Sequence, residues 1–123
     1  MRIVVISAER PPLPSDLADA GGVQVCGGHT PSYQEVLTGT DGEWLAVLAE
    51  RRLPYAGFSA GAAIAAADAL VGGWRIATAA GEVAVCDEDA GEDLKLVSVR
   101  PGLGLVPFAV DVHATQWGTR CSA

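Results

Sequence analysis

Short apolar runs separated by turn residues recur along the chain. A continuous apolar run rich in Val and Ile is typical of a strand buried in a parallel sheet, and residues 2–8, RIVVISA, are the clearest example. Five further segments carry this pattern or a weaker version of it and are predicted strands: 22–28, 53–59, 82–86, 94–99 and 108–113. The pattern therefore predicts a sheet built from several short strands.

Helix signals lie between these strands. Thr30 is a predicted N-cap with Pro31 at the first helical position, and Gly39 is a stop signal. Four segments are predicted helices or helical turns: 15–20, 30–39, 42–52 and 61–70. Because strands alternate with helices, the pattern favours an α/β fold with a mostly parallel sheet, formed by residues 1–123 as a single domain.

Composition and charge exclude several kinds of partner. Half of the 123 residues are hydrophobic, which favours a packed domain over a disordered chain. The net charge is −7 and the eight Lys and Arg residues are scattered, so we expect no nucleic-acid partner. No apolar run reaches the roughly 18 residues of a membrane span, so we expect no membrane partner either.

Three cysteines, Cys26, Cys86 and Cys121, are odd in number and do not have the spacing of a metal site. They are predicted to be free thiols, which are typical of a reducing cytoplasm. We therefore expect a cytoplasmic protein that uses neither a metal nor another cofactor.

The segment GFSAG places Ser59 between two glycines. A G-x-S-x-G segment between a strand and a helix is a nucleophile elbow, whose sharp turn exposes the serine hydroxyl at the carboxyl end of a sheet. The following helix supplies backbone N–H groups where an oxyanion would form. The predicted strand 53–59 and helix 61–70 provide this context. The alternative is that Ser59 only caps the helix, a position that serine favours.

A nucleophilic serine needs a base, and the chain contains two histidines, His29 and His113. His113 ends the predicted strand 108–113, which would bring it to the carboxyl edge of a parallel sheet, where sites form. His29 follows a glycine pair at the end of another strand, and it is either a second base or a loop residue. A thiol nucleophile, Cys26 with His29, is a further alternative.

Three segments of the chain resemble the dipeptidase E and cyanophycinase family of serine peptidases. They are VCGGHTPSYQEVL (25–37), YAGFSAGAAIA (55–65) and GLGLVPFAVDVHATQWGTR (102–120). The SAGA core followed by GLGL and VDVH is more specific than G-x-S-x-G alone. The resemblance implies a three-layer α/β fold of the class I glutamine-amidotransferase-like type.

The resemblance also implies a role for each matching residue. Ser59 matches the nucleophile and His113 matches the base. The backbone N–H groups of Gly28 and Ala60 match the oxyanion hole. His29 stands in the loop that binds substrate, at a position where family members usually carry Asn.

The family's third catalytic residue comes from the loop between the nucleophile and the histidine. Its distance from the histidine along the chain places it at Glu88 or Asp89, and Glu92 is a further candidate. Apart from that one carboxylate, the acidic loop 87–93 is expected to be solvated.

The function implied by the resemblance is hydrolysis of short aspartyl peptides or isopeptides by a Ser–His–acid triad, with a small peptide as the partner. The cations that could hold an acidic substrate are, by position, Arg75, Arg100 and Arg120. Family members extend at both ends, so the chain is expected to be an N- and C-terminally shortened member that can form a homo-oligomer. The alternatives are an inactive truncated remnant and a small α/β esterase.

Overall fold

The computed structural model describes residues 1–39 and 41–116 as a mixed α/β fold. The helices of this part of the chain are α1 (Thr30–Thr38), α2 (Glu43–Glu50) and α3 (Ala60–Ala63). Its strands are β1 (Val23–Val25), β2 (Tyr55–Gly57), β3 (Asp68–Gly72), β4 (Arg75–Thr78), β5 (Gly81–Ala84) and β6 (Ser98–Pro101). Two 3-10 turns are Pro14–Leu17 and Glu88–Gly91. None of the helices in the described residues is long and apolar enough to cross a membrane.

The strands form three two-stranded sheets within the described residues, and most of the pairing is antiparallel. β1 pairs in parallel with β2, whereas β3 pairs antiparallel with β6, and β4 with β5. The prediction of a mostly parallel sheet is therefore wrong. A parallel pair needs a long crossover connection, which α1 and α2 provide between β1 and β2. No comparable helix follows α3 in the described residues, and the strand pairs there, β3 with β6 and β4 with β5, are antiparallel.

Two apolar runs, 2–8 and 108–113, do not form strands, which corrects their prediction. Ile3 and Val5 in the first run are 79% and 81% exposed, and Phe108 in the second is 61% exposed. A strand requires a neighbouring backbone edge that satisfies its N–H and C=O groups. Neither run pairs with such an edge in the described residues, so hydrophobicity alone does not make either one a strand.

The predicted helix 61–70 forms only in its first turn. α3 ends at Ala63, and the chain continues through a turn into β3. The cause is a tertiary contact. The N–H of Leu103 donates to the carbonyl of Ile64 at 2.7 Å, and the N–H groups of residues 104–106 donate to the carbonyls of Ala65 and Ala66. Those carbonyls would otherwise continue the helix, so packing overrides the helix preference of this alanine-rich run.

The remaining elements follow the predictions more closely. α1 and α2 confirm the helices predicted at 30–39 and 42–52, although His29 rather than Thr30 is the N-cap of α1. Four strands, β1, β2, β5 and β6, overlap a predicted strand, and the 3-10 turn before β1 overlaps the helical turn predicted at 15–20. β3 and β4 have no predicted counterpart.

A small apolar core holds the parallel pair against the helices. Its buried members are Leu17, Leu37, Trp44, Leu48, Ile64 and Leu103. The indole N–H of Trp44 donates to the Leu37 carbonyl at 3.2 Å, so the polar group of this buried ring is satisfied. Because the core contains residues of α1, α2 and the turn after α3, it fixes the carboxyl ends of β1 and β2 relative to α3.

Candidate active site

Ser59 lies on a sharp turn between β2 and α3. Its backbone has φ 51° and ψ −114°, and such a positive φ costs a non-glycine residue about 1–3 kcal/mol. The two flanking glycines are required by space. A Cβ atom at Gly57 would lie 2.5 Å from the carbonyl oxygen of Gly61, and one at Gly61 would lie 2.3 Å from that of Val25. The strand, the strained turn and the helix that define a nucleophile elbow are therefore present at GFSAG.

The hydroxyl of Ser59 meets the imidazole of His113. Oγ of Ser59 lies 2.8 Å from Nε2 of His113, although the two residues are 54 positions apart in the chain. With the ring proton on Nδ1, Nε2 accepts the hydroxyl proton, which is the arrangement that a general base requires. Ser59 is also the N-cap of α3, but its side chain makes no capping hydrogen bond. The hydroxyl therefore engages the histidine rather than the helix.

Phe58 supports the imidazole from the side. The two rings meet edge to face, with centroids 6.1 Å apart and planes at 85°. Aromatic pairs of this kind contribute about 0.5–1.5 kcal/mol beyond the area they bury. Phe58 is 62% exposed, so this contact rather than the core explains its position. Sequence reasoning did not single out Phe58, and the available signal was its place directly before Ser59.

The glycine pair after β1 runs beside the nucleophile. A Cβ atom at Gly27 would lie 2.9 Å from Cβ of Ser59, so only glycine allows the loop to approach this closely. Ala60 is the first residue of α3, where a backbone N–H has no intrahelical acceptor. Within residues 1–39 and 41–116, neither the Gly28 nor the Ala60 N–H donates to a protein acceptor. Their role in an oxyanion hole stays a prediction.

The candidate acids lie away from the histidine. Glu88 and Asp89 are exposed in a 3-10 turn, and neither carboxylate forms a hydrogen bond or ion pair with His113 in the part of the chain that the structure describes. Glu92 instead accepts a hydrogen bond from the Thr30 hydroxyl at 3.0 Å. The structure thus brings the serine and the base together but does not bring these three carboxylates to the imidazole, and the identity of the acid stays a prediction.

His29 caps α1 and faces the acidic loop. Its Nδ1 lies 2.7 Å from Oγ of Ser32, and its Nε2 lies 3.1 Å from the Glu92 carbonyl oxygen and 3.3 Å from the Asp93 carboxylate. Both ring nitrogens are therefore engaged, and His29 does not form the pair with Cys26 that a thiol nucleophile would need. Substrate binding by His29 stays a prediction.

Cys26 and Cys86 are free thiols, as predicted, and Cys121 lies outside the described residues. Burial, together with the charges of Asp87 and Asp111, raises the pKa of the Cys86 thiol above its ordinary value. A thiol with a raised pKa stays protonated at neutral pH, so Cys86 has the opposite of the environment that a reactive cysteine requires.

The arginines proposed to hold an acidic substrate already have partners. Arg75 Nε lies 3.4 Å from a carboxylate oxygen of Glu82, and Arg100 Nη1 lies 3.4 Å from one of Glu35. Arg120 lies outside the described residues. Arg100 is therefore paired with a glutamate, whereas Arg75 shares Glu82 with Lys95, whose Nζ lies 2.9 Å from the same carboxylate oxygen.

An open apolar groove of about 470 Å³ lies along the edge of β2 that does not pair with β1. Its lining includes Gly57, Ala62, Leu105, Phe108 and Val110, and no charged side chain contributes to it within the described residues. Gly57 and Ala62 belong to the two arms of the elbow, whereas Ser59 and His113 do not line the groove. Its chemistry suits an apolar substrate group better than an acidic one.

Comparisons with protein-family models, with curated proteins and with solved structures gave no match. The assignment of a function therefore rests on two things. One is the geometry of the elbow with its histidine and backbone donors, and the other is the set of sequence motifs that converge on it.

Proposed function

We propose that this chain is a serine hydrolase in which Ser59 is the nucleophile and His113 is the general base. The observation that carries the proposal is the 2.8 Å contact between Ser59 Oγ and His113 Nε2 on a turn with φ 51°. A serine hydroxyl is a weak nucleophile unless an adjacent base takes its proton. The strained turn and the long-range histidine together make a simple structural role for Ser59 a poor explanation of the geometry.

The proposed reaction has two stages. Ser59 Oγ attacks the carbonyl carbon of the substrate as its proton passes to Nε2 of His113, and the resulting oxyanion accepts hydrogen bonds from the N–H groups of Gly28 and Ala60. The imidazolium then protonates the leaving group, and an acyl-enzyme remains. Water attacks this ester with His113 again as the base, and Ser59 is regenerated. Each oxyanion donor contributes about 10²–10³-fold to such a rate.

We further propose membership of the dipeptidase E and cyanophycinase family, with a class I glutamine-amidotransferase-like arrangement and with short aspartyl peptides or isopeptides as substrates. What supports it is the convergence of the three motif segments. The loop and helix in 25–37 and the elbow in 55–65 meet the histidine of 102–120 at one serine. The aspartyl preference itself rests on the sequence motifs alone.

A second candidate function is that of a small esterase acting on apolar acyl groups. The observation that favours it is the apolar groove beside the elbow, whose described lining has no charge. The pairing of Arg100 with Glu35 points the same way, because an aspartyl side chain would need a free cation. Both candidates use the same nucleophile and base and differ only in the group bound beside them.

Intact-mass labelling with a fluorophosphonate probe tests the shared proposal. We expect one adduct on the wild type and none on Ser59→Ala. A folded wild-type chain that takes up no adduct would contradict it and would favour an inactive protein. The two candidates then separate by hydrolysis of aspartyl dipeptides against p-nitrophenyl esters of short fatty acids, assayed with Ser59→Ala as the blank.

A further inference from the structure

Tyr33 holds the glycine loop that lies beside the nucleophile. It is half-buried on α1, and its hydroxyl donates a hydrogen bond of 2.8 Å to the carbonyl oxygen of Gly27. Its ring packs against the next residue, because a Cβ atom at Gly28 would lie 2.6 Å from Cε2 of Tyr33. Tyr33 therefore contacts both halves of the peptide unit that joins the two glycines.

This contact sets the direction of the Gly28 N–H. The Gly27–Gly28 peptide is planar and trans, so its C=O and N–H point in opposite directions. Since the carbonyl is directed to the Tyr33 hydroxyl, the N–H is directed away from it. Ser59 also lies against this loop, since a Cβ atom at Gly27 would come within 2.9 Å of Ser59 Cβ. The N–H is thus turned away from the Tyr33 hydroxyl, and the proposed function assigns it to the oxyanion formed at Ser59.

A peptide between two glycines does not hold such an orientation by itself. Glycine adopts positive and negative φ about equally well, so the unit can rotate and turn its N–H away from the nucleophile. The hydrogen bond to the Tyr33 side chain opposes that rotation, because rotation would remove the carbonyl from the hydroxyl.

We propose that Tyr33 is a positioning residue for the oxyanion hole, which fixes the Gly28 N–H toward the carbonyl oxygen of the substrate. The proposal rests on the proposed function, since it assigns an orienting role at the same serine. The rate of the reaction at Ser59 would then depend on Tyr33 of α1. Within the described residues, this side chain forms no hydrogen bond with the nucleophile or the base.

The test compares Tyr33→Phe with a matched control, Tyr55→Phe. The Tyr55 hydroxyl also donates to a glycine carbonyl, that of Gly61, at 2.6 Å. The peptide of that carbonyl is already held in α3, because the N–H of Ala62 donates to the carbonyl of Ser59 at 2.9 Å. Both substitutions remove one hydroxyl and keep the ring, but only the first frees a peptide that carries an oxyanion donor.

We expect Tyr33→Phe to lower the limiting rate of fluorophosphonate labelling by about 10- to 100-fold, with an unchanged half-saturating probe concentration. The loss is smaller than the roughly 10²–10³-fold of a deleted donor, because the peptide still visits the correct orientation. Tyr55→Phe should label at the wild-type rate. A merely structural role for Tyr33 would leave the limiting rate of the folded variant unchanged, and that result would overturn the inference.

A second measurement does not depend on how the variant folds. In the wild-type adduct, the amide proton of Gly28 should move downfield in the NMR spectrum as it bonds the phosphonyl oxygen, and an unmoved signal would overturn the inference. Failure of the proposed function looks different, because the wild type would then form no adduct. A normally labelled Tyr33→Phe beside an unlabelled Ser59→Ala refutes only the role of Tyr33.

Discussion

Two serine–histidine pairs lie within the described residues, and their hydrogen bonds have nearly the same length. Ser59 Oγ lies 2.8 Å from Nε2 of His113, and Ser32 Oγ lies 2.7 Å from Nδ1 of His29. The second pair even has a carboxylate on the far side of its ring, since Asp93 lies 3.3 Å from Nε2 of His29. Judged by these distances alone, the pair at the start of α1 also has the arrangement of a triad.

Their surroundings differ. Ser32 follows His29 by three residues in the first turn of α1, so local helix geometry is enough to bring the two together. The backbone carbonyl of Glu92 and the carboxylate of Asp93 face the same imidazole. Negative groups there would oppose the charge of an oxyanion. Ser59 instead has the first N–H of α3 and the glycine loop beside it.

The difference teaches that a hydrogen bond to histidine does not by itself identify a nucleophile. In the proposed mechanism, what distinguishes the elbow is a pair of backbone N–H donors for the oxyanion, together with a strained turn that presents the hydroxyl. We therefore expect reactivity at the elbow and none at the start of α1.

The largest expected effect comes from the base at the elbow. His113→Gln should lower the rate of fluorophosphonate labelling by about 10²–10⁴-fold, because it removes the group that takes the serine proton. Ser32→Ala, which destroys the other pair, should label like the wild type. Time courses of intact mass measure both rates, and a loss on Ser32→Ala equal to that on His113→Gln would contradict the comparison.

The turn at Ser59 could be predicted because each of its parts has a signal in neighbouring residues. The glycines around Ser59, the preceding strand and the glycine pair after β1 are all read from adjacent residues. The arrival of His113 at Ser59 depends on the path of the chain after β6, and the strand predicted to deliver it at 108–113 does not form. The end of that predicted strand and the motif resemblance both pointed to His113, and of these two arguments only the resemblance does not depend on the strand.

The next effect concerns the packing that holds the elbow against β1. The Cβ atom that Gly61→Ala adds would lie 2.3 Å from the Val25 carbonyl oxygen. Because the backbone of β1 cannot move aside as a flexible side chain can, we expect the free energy of unfolding to fall by about 1–3 kcal/mol.

The matched control is Gly21→Ala, whose Cβ would meet nothing within 4 Å. It should change the free energy of unfolding by less than about 0.5 kcal/mol. Urea unfolding followed by circular dichroism measures both variants. Equal losses would show that the close approach of α3 to β1 is not what stabilises the elbow.

The fold beyond the elbow was harder to predict for a physical reason. In the first half of the chain, α1 and α2 connect the two parallel strands. The caps and apolar faces of both helices can be predicted from neighbouring residues. In the second half, β3 pairs with β6, as where Asp68 pairs with Pro101, and no α-helix with its own cap and apolar face lies between these two strands. Backbone hydrogen bonds from residues 102–106 to the turn after α3 end the helix predicted at 61–70, and β3 follows. No pattern in the neighbouring sequence predicts these hydrogen bonds.

The smallest effect concerns another local pair, Arg10 with Asp16, whose charged atoms meet at 2.6 and 2.7 Å. The hydrogen bonds from Arg10 lower the pKa of Asp16 to about 2, from an ordinary value of 3.8. A lowered folded-state pKa gives stability that is present above pH 3.8 and is lost as the pH falls through about 2. Because Arg10 is partly exposed, we expect at most about 1 kcal/mol.

The measurement compares wild type and Asp16→Asn in urea unfolding at about pH 5 and about pH 2. The variant should be less stable at the higher pH and nearly equal to the wild type at the lower one. Labelling of Ser59 at neutral pH should be unaffected, since this pair, like Ser32 with His29, acts only within its own segment. A difference in stability that persists at the lower pH would contradict the assignment.

The most direct test of the central claim is to locate the fluorophosphonate adduct by peptide mapping of the folded wild-type chain. Among the described residues, Ser59 and Ser32 are each bonded to a histidine, so the site of modification decides between them. We predict a single adduct on Ser59. An adduct on Ser32, or no adduct on either serine, would contradict the claim that the elbow makes Ser59 a nucleophile.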